Sequence, residues 1–589
     1  MDLAEQNLMT NKINFIIGGE AGMGVTTIGN MFGKLLKNHG LNVITSNDFP
    51  SLIRGGHNFN YIRADSEPIY SPINRVDILV ALNKETVMKH HEQLHEGGAL
   101  IYDENKVKLA PGDLKRADIK IFPIPLSQLA LKSGGEIFFN TVALGAACSL
   151  IGIDFSMLEA AMKQAWSRKG EEVVKKNTQA AKEGFDALAA QLKEPFWIKI
   201  TKIGEDKKIL LTGNDAACIA AVKAGVKLVA EYPMSPSSSV LHFMAAHEFS
   251  HEIVVKHTED EIAAANMLAG AGAAGVRTLT ATSGGGFALM VEALGMMGLS
   301  EIPAVIINVQ RAGPSTGLPT YGEQADLKFT LSASQGEFPR LVVACGDVEE
   351  SFWETIKAFN LADMVQTPAI ILLDKNLSDG YESTERYDTS KVRIDRGKLL
   401  AEKDLEGVEG FKRFELTDDG ISPRPIMGSK NGLFIATSYE HDETSFTSED
   451  PKNRVAMIDK RWKKIGAIPK DMVAPAYYGA KNPDLLIVGW GSTKGAVREA
   501  LKTFEKEGMK VGYLHVKWMY PFASEEILKT LKAAPKVMGI ESNSTGQLRD
   551  LIREKTGFYI PDSDMYLRYD ARMFYPEDIV QKVKERMKK

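Results

Sequence analysis

The chain has 589 residues, 44% of them hydrophobic and 25% charged. This is an ordinary globular balance with room for roughly three to five domains. A formal net charge of −5 gives no electrostatic basis for binding nucleic acid or an anionic membrane. Three cysteines, Cys148, Cys218 and Cys345, form no C-x-x-C pair. They supply neither a disulfide framework nor a full iron–sulfur or zinc ligand set, and a reducing, cytoplasmic compartment is expected.

The first residues, MDLAEQNLMTNK, contain no basic region followed by an apolar one. No stretch of about 18 uncharged apolar residues follows, so a soluble protein without membrane contact is expected. Segment 12–195 alternates apolar runs (INFIIG, LNVITS, VDILVAL, GALIYD, IKIFPIP) with helical stretches at 27–39 and 85–94. That alternation predicts a parallel sheet with helices on its faces. An amphipathic helix is predicted over 156–194, and EPFWIKITKIGEDKK (194–208) reads as a charged linker.

Within this segment GGEAGMGVTT (18–27) follows a strand and opens a helix. Counted from Gly19 it matches the phosphate loop G-x-x-x-x-G-K-[ST], except that Val25 replaces the lysine. Gly22 and Gly24 relieve the turn, and the helix N-terminus with Thr26 and Thr27 favours an anion. Without the lysine the β- and γ-phosphates are not neutralised, so ATP hydrolysis is rejected.

A second α/β pattern starts at 209 with ILLTGND and occupies 205–390. Its features cluster in 230–326. Tyr232-Pro233-Met234-Ser235-Pro236-Ser237-Ser238 is a loop held extended by its prolines, with projecting hydroxyls. Glu259-Asp260-Glu261 opens a helix made mostly of alanine and glycine. Helix-dipole stabilisation accounts for all three acids, while the small residues allow a backbone or a cofactor to approach closely. TATSGGG then gives a strand, a glycine turn and a helix, and a further strand delivers Arg311 beside a Gly-Pro-Ser-Thr-Gly loop. A guanidinium at the C-terminal end of a strand is placed to fork a carboxylate. Residues 391–480 read as a connecting arm, and 481–589 as a third α/β unit containing WGSTKG (490–495).

Together YPMSPSS, the Glu261 helix, TATSGGG and QRAGPSTGLPTYGEQADL resemble the alpha subunit of 2-oxoacid:ferredoxin oxidoreductases. The arm motifs GISPRPIMG (420–428) and EHDE (440–443), with GIESNSTGQLRDLIR (539–553), look like the 2-oxoglutarate type. The resemblance implies three α/β domains with largely parallel sheets: a gamma domain at 12–195, a pyrimidine-binding domain at 205–390 and, after the arm, a transketolase C-terminal-like domain at 481–589. Arg54-Gly55-Gly56-His57 also looks like part of the gamma domain, which implies coenzyme A handling or subunit contact for the Gly18–Thr27 loop.

The implied reaction is a thiamine-diphosphate-dependent, coenzyme A-dependent decarboxylation of a 2-oxoacid, 2-oxoglutarate above all, with reduction of ferredoxin. Glu261 matches the carboxyl that activates the aminopyrimidine, with Gly284 beside the cofactor and Glu259 solvated. Ser235 stands where the family carries threonine; it keeps the hydroxyl and loses a methyl. Arg311 matches the carboxylate-binding arginine, and Thr316 and Thr320 are further substrate-contact candidates. Gly346-Asp347 and Asp379-Gly380 do not continue into the family's Mg2+-holding Gly-Asp-Gly and later asparagine. The resemblance therefore implies a beta subunit carrying the diphosphate site, Mg2+ and a [4Fe-4S] cluster, in an (αβ)2 assembly. Two rivals are a nucleotide- or coenzyme A-binding regulatory module, suggested by GGEAGMGVTT and WGSTKG, and a thiamine-dependent decarboxylase without electron transfer.

Overall fold

The computed structural model describes residues 8–51, 55–110, 112–114, 116–204 and 207–588. Arg54 lies outside them. The chain forms two compact units, one of Met1–Leu211, Gly380–Arg386 and Tyr575–Glu577, the other of Thr212–Asp379, Tyr387–Phe574 and Asp578–Lys589.

The first unit is built on an eight-stranded sheet. Its order is Lys120–Ile124, Leu94–Asp103, Val76–Ala81, Lys12–Glu20, His57–Asp65, Asn42–Asp48, Glu382–Glu385, Lys208–Leu211. The first four strands are parallel, as their apolar runs predict. The other four pair antiparallel, so this sheet is mixed. His57–Asp65 follows Asn42–Asp48 too closely for a crossover helix, which forces the antiparallel return. The run at 209, expected to open the second pattern, is instead the edge strand here. The helix expected over 156–194 is two helices, Phe155–Trp166 and Glu171–Ala189, separated at Gly170 with φ 99°. A left-handed residue interrupts the helical hydrogen-bond ladder.

In the glycine loop, Gly22 and Gly24 have φ of 91° and 70°. Asn140 Nδ2 donates to Met23 O (3.1 Å) and fastens the turn. The helix that follows, Val25–Asn38, has no side-chain cap at Gly24.

The second unit holds a seven-stranded sheet in the order Val254–His257, Leu228–Glu231, Thr278–Thr282, Val305–Gln310, Ala369–Asp374, Leu341–Ala344, Trp518–Tyr520. All pairs are parallel except the last, in which the C-terminal region lends an antiparallel strand. The central strands Val305–Gln310 and Ala369–Asp374 are buried along their whole length, as strands covered on both faces must be. A five-stranded sheet (Ala476–Gly479, Val511–Val516, Leu485–Trp490, Val537–Glu541, Met565–Leu567) follows. One hydrophobic core joins the two, with Phe287, Ile306 and Ile370 packed in the same cluster as Leu486, Leu514 and Ile552.

WGSTKG lies on this internal boundary. Lys494 is buried and ion-paired to Glu350 (2.7 Å) and Asp347, and His515 Nε2 meets Glu350 at 3.0 Å. Its charge is therefore consumed inside the fold. The same pairing occupies the carboxylate of Gly346-Asp347.

The arm has few regular elements, and buried ion pairs fasten it. Lys460 and Lys464 bond the fully buried Glu301 at 2.6 and 3.2 Å. Burial opposes ionisation of Glu301, but Lys460, Lys464 and Arg413 outweigh it and hold the carboxyl well below the usual range. Arg424 of GISPRPIMG pairs with buried Asp363, and Glu440 of EHDE pairs with Arg461 (2.7 Å). The arm motifs thus act as anchors. No helix among the described residues is long and apolar enough to cross a membrane.

Candidate functional site

The site lies at the C-terminal ends of the parallel strands in the second unit, the usual ligand-binding edge of an open α/β sheet. The strand Leu228–Glu231 releases the chain into the Tyr232–Ser238 loop. Side-chain bonds help fix that loop: Ser237 Oγ donates to Met234 O (2.7 Å) and Asn214 Nδ2 to Pro236 O (3.0 Å). Ser235 is exposed, and its backbone oxygen accepts from Arg311 Nη1 at 2.7 Å. Two residues 76 positions apart in sequence are thereby brought together.

The acidic triplet separates into three roles. Glu259 is exposed, as expected. Asp260 caps the helix Glu261–Ala273 by accepting from Ala263 N (2.7 Å). Glu261 is 3% exposed, and its Oε1 has no hydrogen-bond partner. A buried carboxylate oxygen without a partner is costly unless a ligand completes it.

The helix Gly284–Leu299 begins beside it. Its N-cap residue Ser283 makes no capping bond, and the Ser283 hydroxyl is buried and unpartnered. The glycines of TATSGGG are steric requirements. A Cβ on Gly286 would lie 2.4 Å from Glu261 Oε1 and 2.1 Å from Thr282 Oγ1. A Cβ on Gly284 would lie 2.5 Å from Asp326 Oδ2. Gly285 is exposed, with only Met234 Cε at 4.0 Å. This leaves an open, glycine-lined helix terminus between Glu261 and the Met234–Ser235 loop. Gly286→Ala is expected to displace the Glu261 carboxylate and lower turnover at least tenfold, with a stability loss of about 1–3 kcal/mol from overpacking that leaves the fold intact. Turnover and circular dichroism check this; unchanged turnover would show that the carboxylate position is not critical.

Arg311 is half-buried. Burial draws its guanidinium down from the ordinary value, and the Asp326 charge pushes it back. Asp326 itself is raised by burial, against its bond from Asn308 Nδ2 (3.2 Å) and the charge of Arg311. The Asp326 amide donates to Gln310 Oε1 (3.1 Å). Of the two threonine candidates, Thr316 is exposed on the 313–318 loop, whereas Thr320 is buried with an unpartnered hydroxyl.

Sequence reasoning missed three polar residues of this region: Asp326, Asn308 and Glu231. Asp326 was inside the quoted GEQADL motif. Glu231 ends an apolar strand immediately before the YPMSPSS loop, and a charged residue there was the available signal. It is fully buried, both its oxygens lack partners, and burial raises its carboxyl well above the ordinary value. Among the described residues, no group of three or more His, Cys, Asp and Glu could hold a metal ion.

Three family models match the chain. They are the thiamine-diphosphate-binding model of pyruvate flavodoxin/ferredoxin oxidoreductase at residues 219–460, the pyruvate ferredoxin/flavodoxin oxidoreductase model at 14–187, and core domain II of pyruvate:ferredoxin oxidoreductase at 483–579. The alpha subunit of the 2-oxoacid:ferredoxin oxidoreductase of Saccharolobus solfataricus is 31% identical, over 97% of each chain. The 2-oxoglutarate oxidoreductase subunit KorA of Mycobacterium tuberculosis is 28% identical, over 95% of this chain and 89% of its own. The solved 2-oxoglutarate:ferredoxin oxidoreductase of Magnetococcus marinus, with 2-oxoglutarate, coenzyme A and succinyl-CoA bound, is 33% identical. It superposes with a TM-score of 0.90, covering 98% of this chain and 99% of the other.

Proposed function

From the premise that the chain belongs to the 2-oxoacid:ferredoxin oxidoreductase family, as an alpha subunit with a thiamine-diphosphate-binding domain, we propose that it carries the pyrimidine half of a site for coenzyme A-dependent oxidative decarboxylation of 2-oxoglutarate. The observation that supports this most is the unpartnered, buried Glu261 oxygen at the open N-terminus of Gly284–Leu299, next to the Arg311–Ser235 pair.

The residues fit the cofactor. Glu261 offers a desolvated carboxyl to a ring nitrogen, and the glycine-lined turn with the Ser283 hydroxyl leaves room for a flat heterocycle against the helix. When bound, thiamine diphosphate supplies the carbon nucleophile and the electron sink for loss of CO2. Glu261 holds or releases a proton at its own oxygen and so selects the tautomer of the ring it touches. Arg311, held in direction by the Ser235 carbonyl, presents its remaining donors to the 2-oxoacid carboxylate. Ser235 and Thr320 are further substrate contacts, Thr320 through its buried, unpartnered hydroxyl, and Thr316 on the exposed loop is the outer contact. Gly284 is part of the cofactor-binding turn, where the lack of a side chain leaves room for the Asp326 carboxylate beside the helix terminus. The solved relative that holds 2-oxoglutarate, coenzyme A and succinyl-CoA favours the same substrate pair here.

The same proposal assigns the diphosphate site, Mg2+ and a [4Fe-4S] cluster to a beta subunit, ferredoxin as electron acceptor, an (αβ)2 assembly and a cytoplasmic location. It also assigns the four segments 12–195, 205–390, 391–480 and 481–589 to the gamma, pyrimidine-binding, arm and transketolase C-terminal-like roles. The three cysteines are buried and free, which suits a reducing compartment. Purified alone, the chain is expected to be colourless, to contain no iron and to turn over no 2-oxoglutarate, with activity restored by the co-encoded partner. Iron analysis and dye-reduction assays test this. A brown, active preparation of the single chain would refute the division of labour.

A further inference from the structure

The motif GIESNSTGQLRDLIR (539–553) is a marker of family resemblance, and the proposed chemistry makes no use of it. Its polar side chains reach back to the segment Gln324–Lys328. Asn543 Nδ2 donates to Gln324 O (3.1 Å), and Gln547 Nε2 donates to Ala325 O (2.7 Å). Gln547 Oε1 accepts from Lys328 N (2.8 Å). Gln324 binds in return: its amide donates to Ser542 O (2.7 Å), its Oε1 accepts from Ser542 N (2.9 Å), and its Nε2 donates to Trp490 O (2.8 Å).

The clamp is itself held by buried hydrogen bonds. Glu541 accepts from Asn543 Nδ2 (2.9 Å), Trp490 Nε1 (3.1 Å) and the amides of Leu548 and Arg549 (2.9 and 3.0 Å). Gln324, Glu541 and Asn543 are each 1% exposed. Buried side chains that satisfy backbone groups at both ends specify one local geometry, because any other leaves polar atoms unpaired. Asp326 is the middle residue of the clamped segment. From there its amide donates to Gln310 Oε1 (3.1 Å), the residue before Arg311, and its carboxylate sits against Gly284, accepts from Asn308 Nδ2 and acts on the charge of Arg311. The other carboxyls near this group are Glu323, which Asp326 perturbs, and Glu261 at Gly286.

We propose that the C-terminal region is a positioning device for substrate-carboxylate recognition: Asn543 and Gln547 fix the backbone of Gln324–Lys328, and Asp326, so placed, orients the Arg311 guanidinium. This rests on the reading of Arg311 as the carboxylate-binding group. An arginine beside an exposed loop samples many rotamers; its bond to the Ser235 carbonyl and the charge of Asp326 restrict them.

The test uses the full chain with its partner subunit, in the variants Gln547→Leu, Gln547→Glu, Asp326→Asn and Arg311→Ala. Gln547→Leu and Asp326→Asn are each expected to raise KM for the 2-oxoacid roughly fivefold or more with a smaller change in kcat, Gln547→Leu with a modest fall in Tm and Asp326→Asn with little change in it. Gln547→Glu keeps the acceptor for Lys328 N and should recover part of the effect. If Gln547→Leu does not fold, Asp326→Asn, which preserves shape, carries the test alone. An unchanged or lowered KM in Asp326→Asn, or a fall in Tm and kcat without a rise in KM, overturns the inference. If Arg311→Ala raises KM while the clamp variants do not, this inference alone fails. If Arg311→Ala leaves KM unchanged, the carboxylate reading fails with it.

Discussion

Glu261→Gln is expected to lower kcat for 2-oxoacid decarboxylation by roughly 10²- to 10⁴-fold, the range of a lost proton-transfer group. The substitution keeps the shape and the burial. Its amide cannot exchange a proton with a ring nitrogen, and it places a donor or an acceptor there without choice of protonation state. The helix cap belongs to Asp260, so Glu261→Gln removes no capping bond. Gly286 leaves space for either side chain. Circular dichroism and co-purification with the partner should therefore match the parent. The informative companion is Glu231→Gln, because Glu231 is the other fully buried, unpartnered carboxyl close in sequence to the YPMSPSS loop. Full activity in Glu261→Gln with loss in Glu231→Gln would transfer the role to Glu231.

Arg311→Ala is expected to raise KM for the 2-oxoacid roughly 10- to 100-fold, because a charge-assisted bond contributes about 1.5–3 kcal/mol and each 1.4 kcal/mol is a factor of ten. The kcat at saturating substrate should change less, since the proton-carrying carboxyl is elsewhere. Removal also frees the Ser235 carbonyl, which loses its 2.7 Å partner. Arg311→Lys separates the two effects: it restores the charge without the planar fork, so partial recovery is expected. A KM within twofold of the parent for Arg311→Ala would remove Arg311 from substrate binding.

The parallel strands of the first unit and the second α/β pattern were legible because buried strands leave contiguous apolar runs. His57–Asp65 was not, because HNFNYIRAD interleaves polar and charged residues that only the tertiary fold buries. Arg63, for example, is buried and donates to Ser71 O at 2.7 Å. The run at 209 has a clear strand pattern, but pattern does not say which sheet a strand joins. In the candidate site, Ser235, Glu261 and Arg311 could be picked from ordered motifs. Asp326 could not, because its surroundings come from Asn308, Gly284 and a clamp contributed more than 200 residues later.

The sequence by itself determined the class of fold, the family and the residue types able to do the chemistry, because those follow from local periodicity and from motifs read in order. Only the tertiary structure decided which acid of Glu259-Asp260-Glu261 is solvated, which caps and which is buried without a partner. It alone showed that Lys494 of WGSTKG is neutralised inside the fold and that Thr320, not Thr316, is buried. The physical reason is the same in each case. Burial and hydrogen-bond satisfaction depend on which distant segments fold against a residue, and no local pattern encodes that.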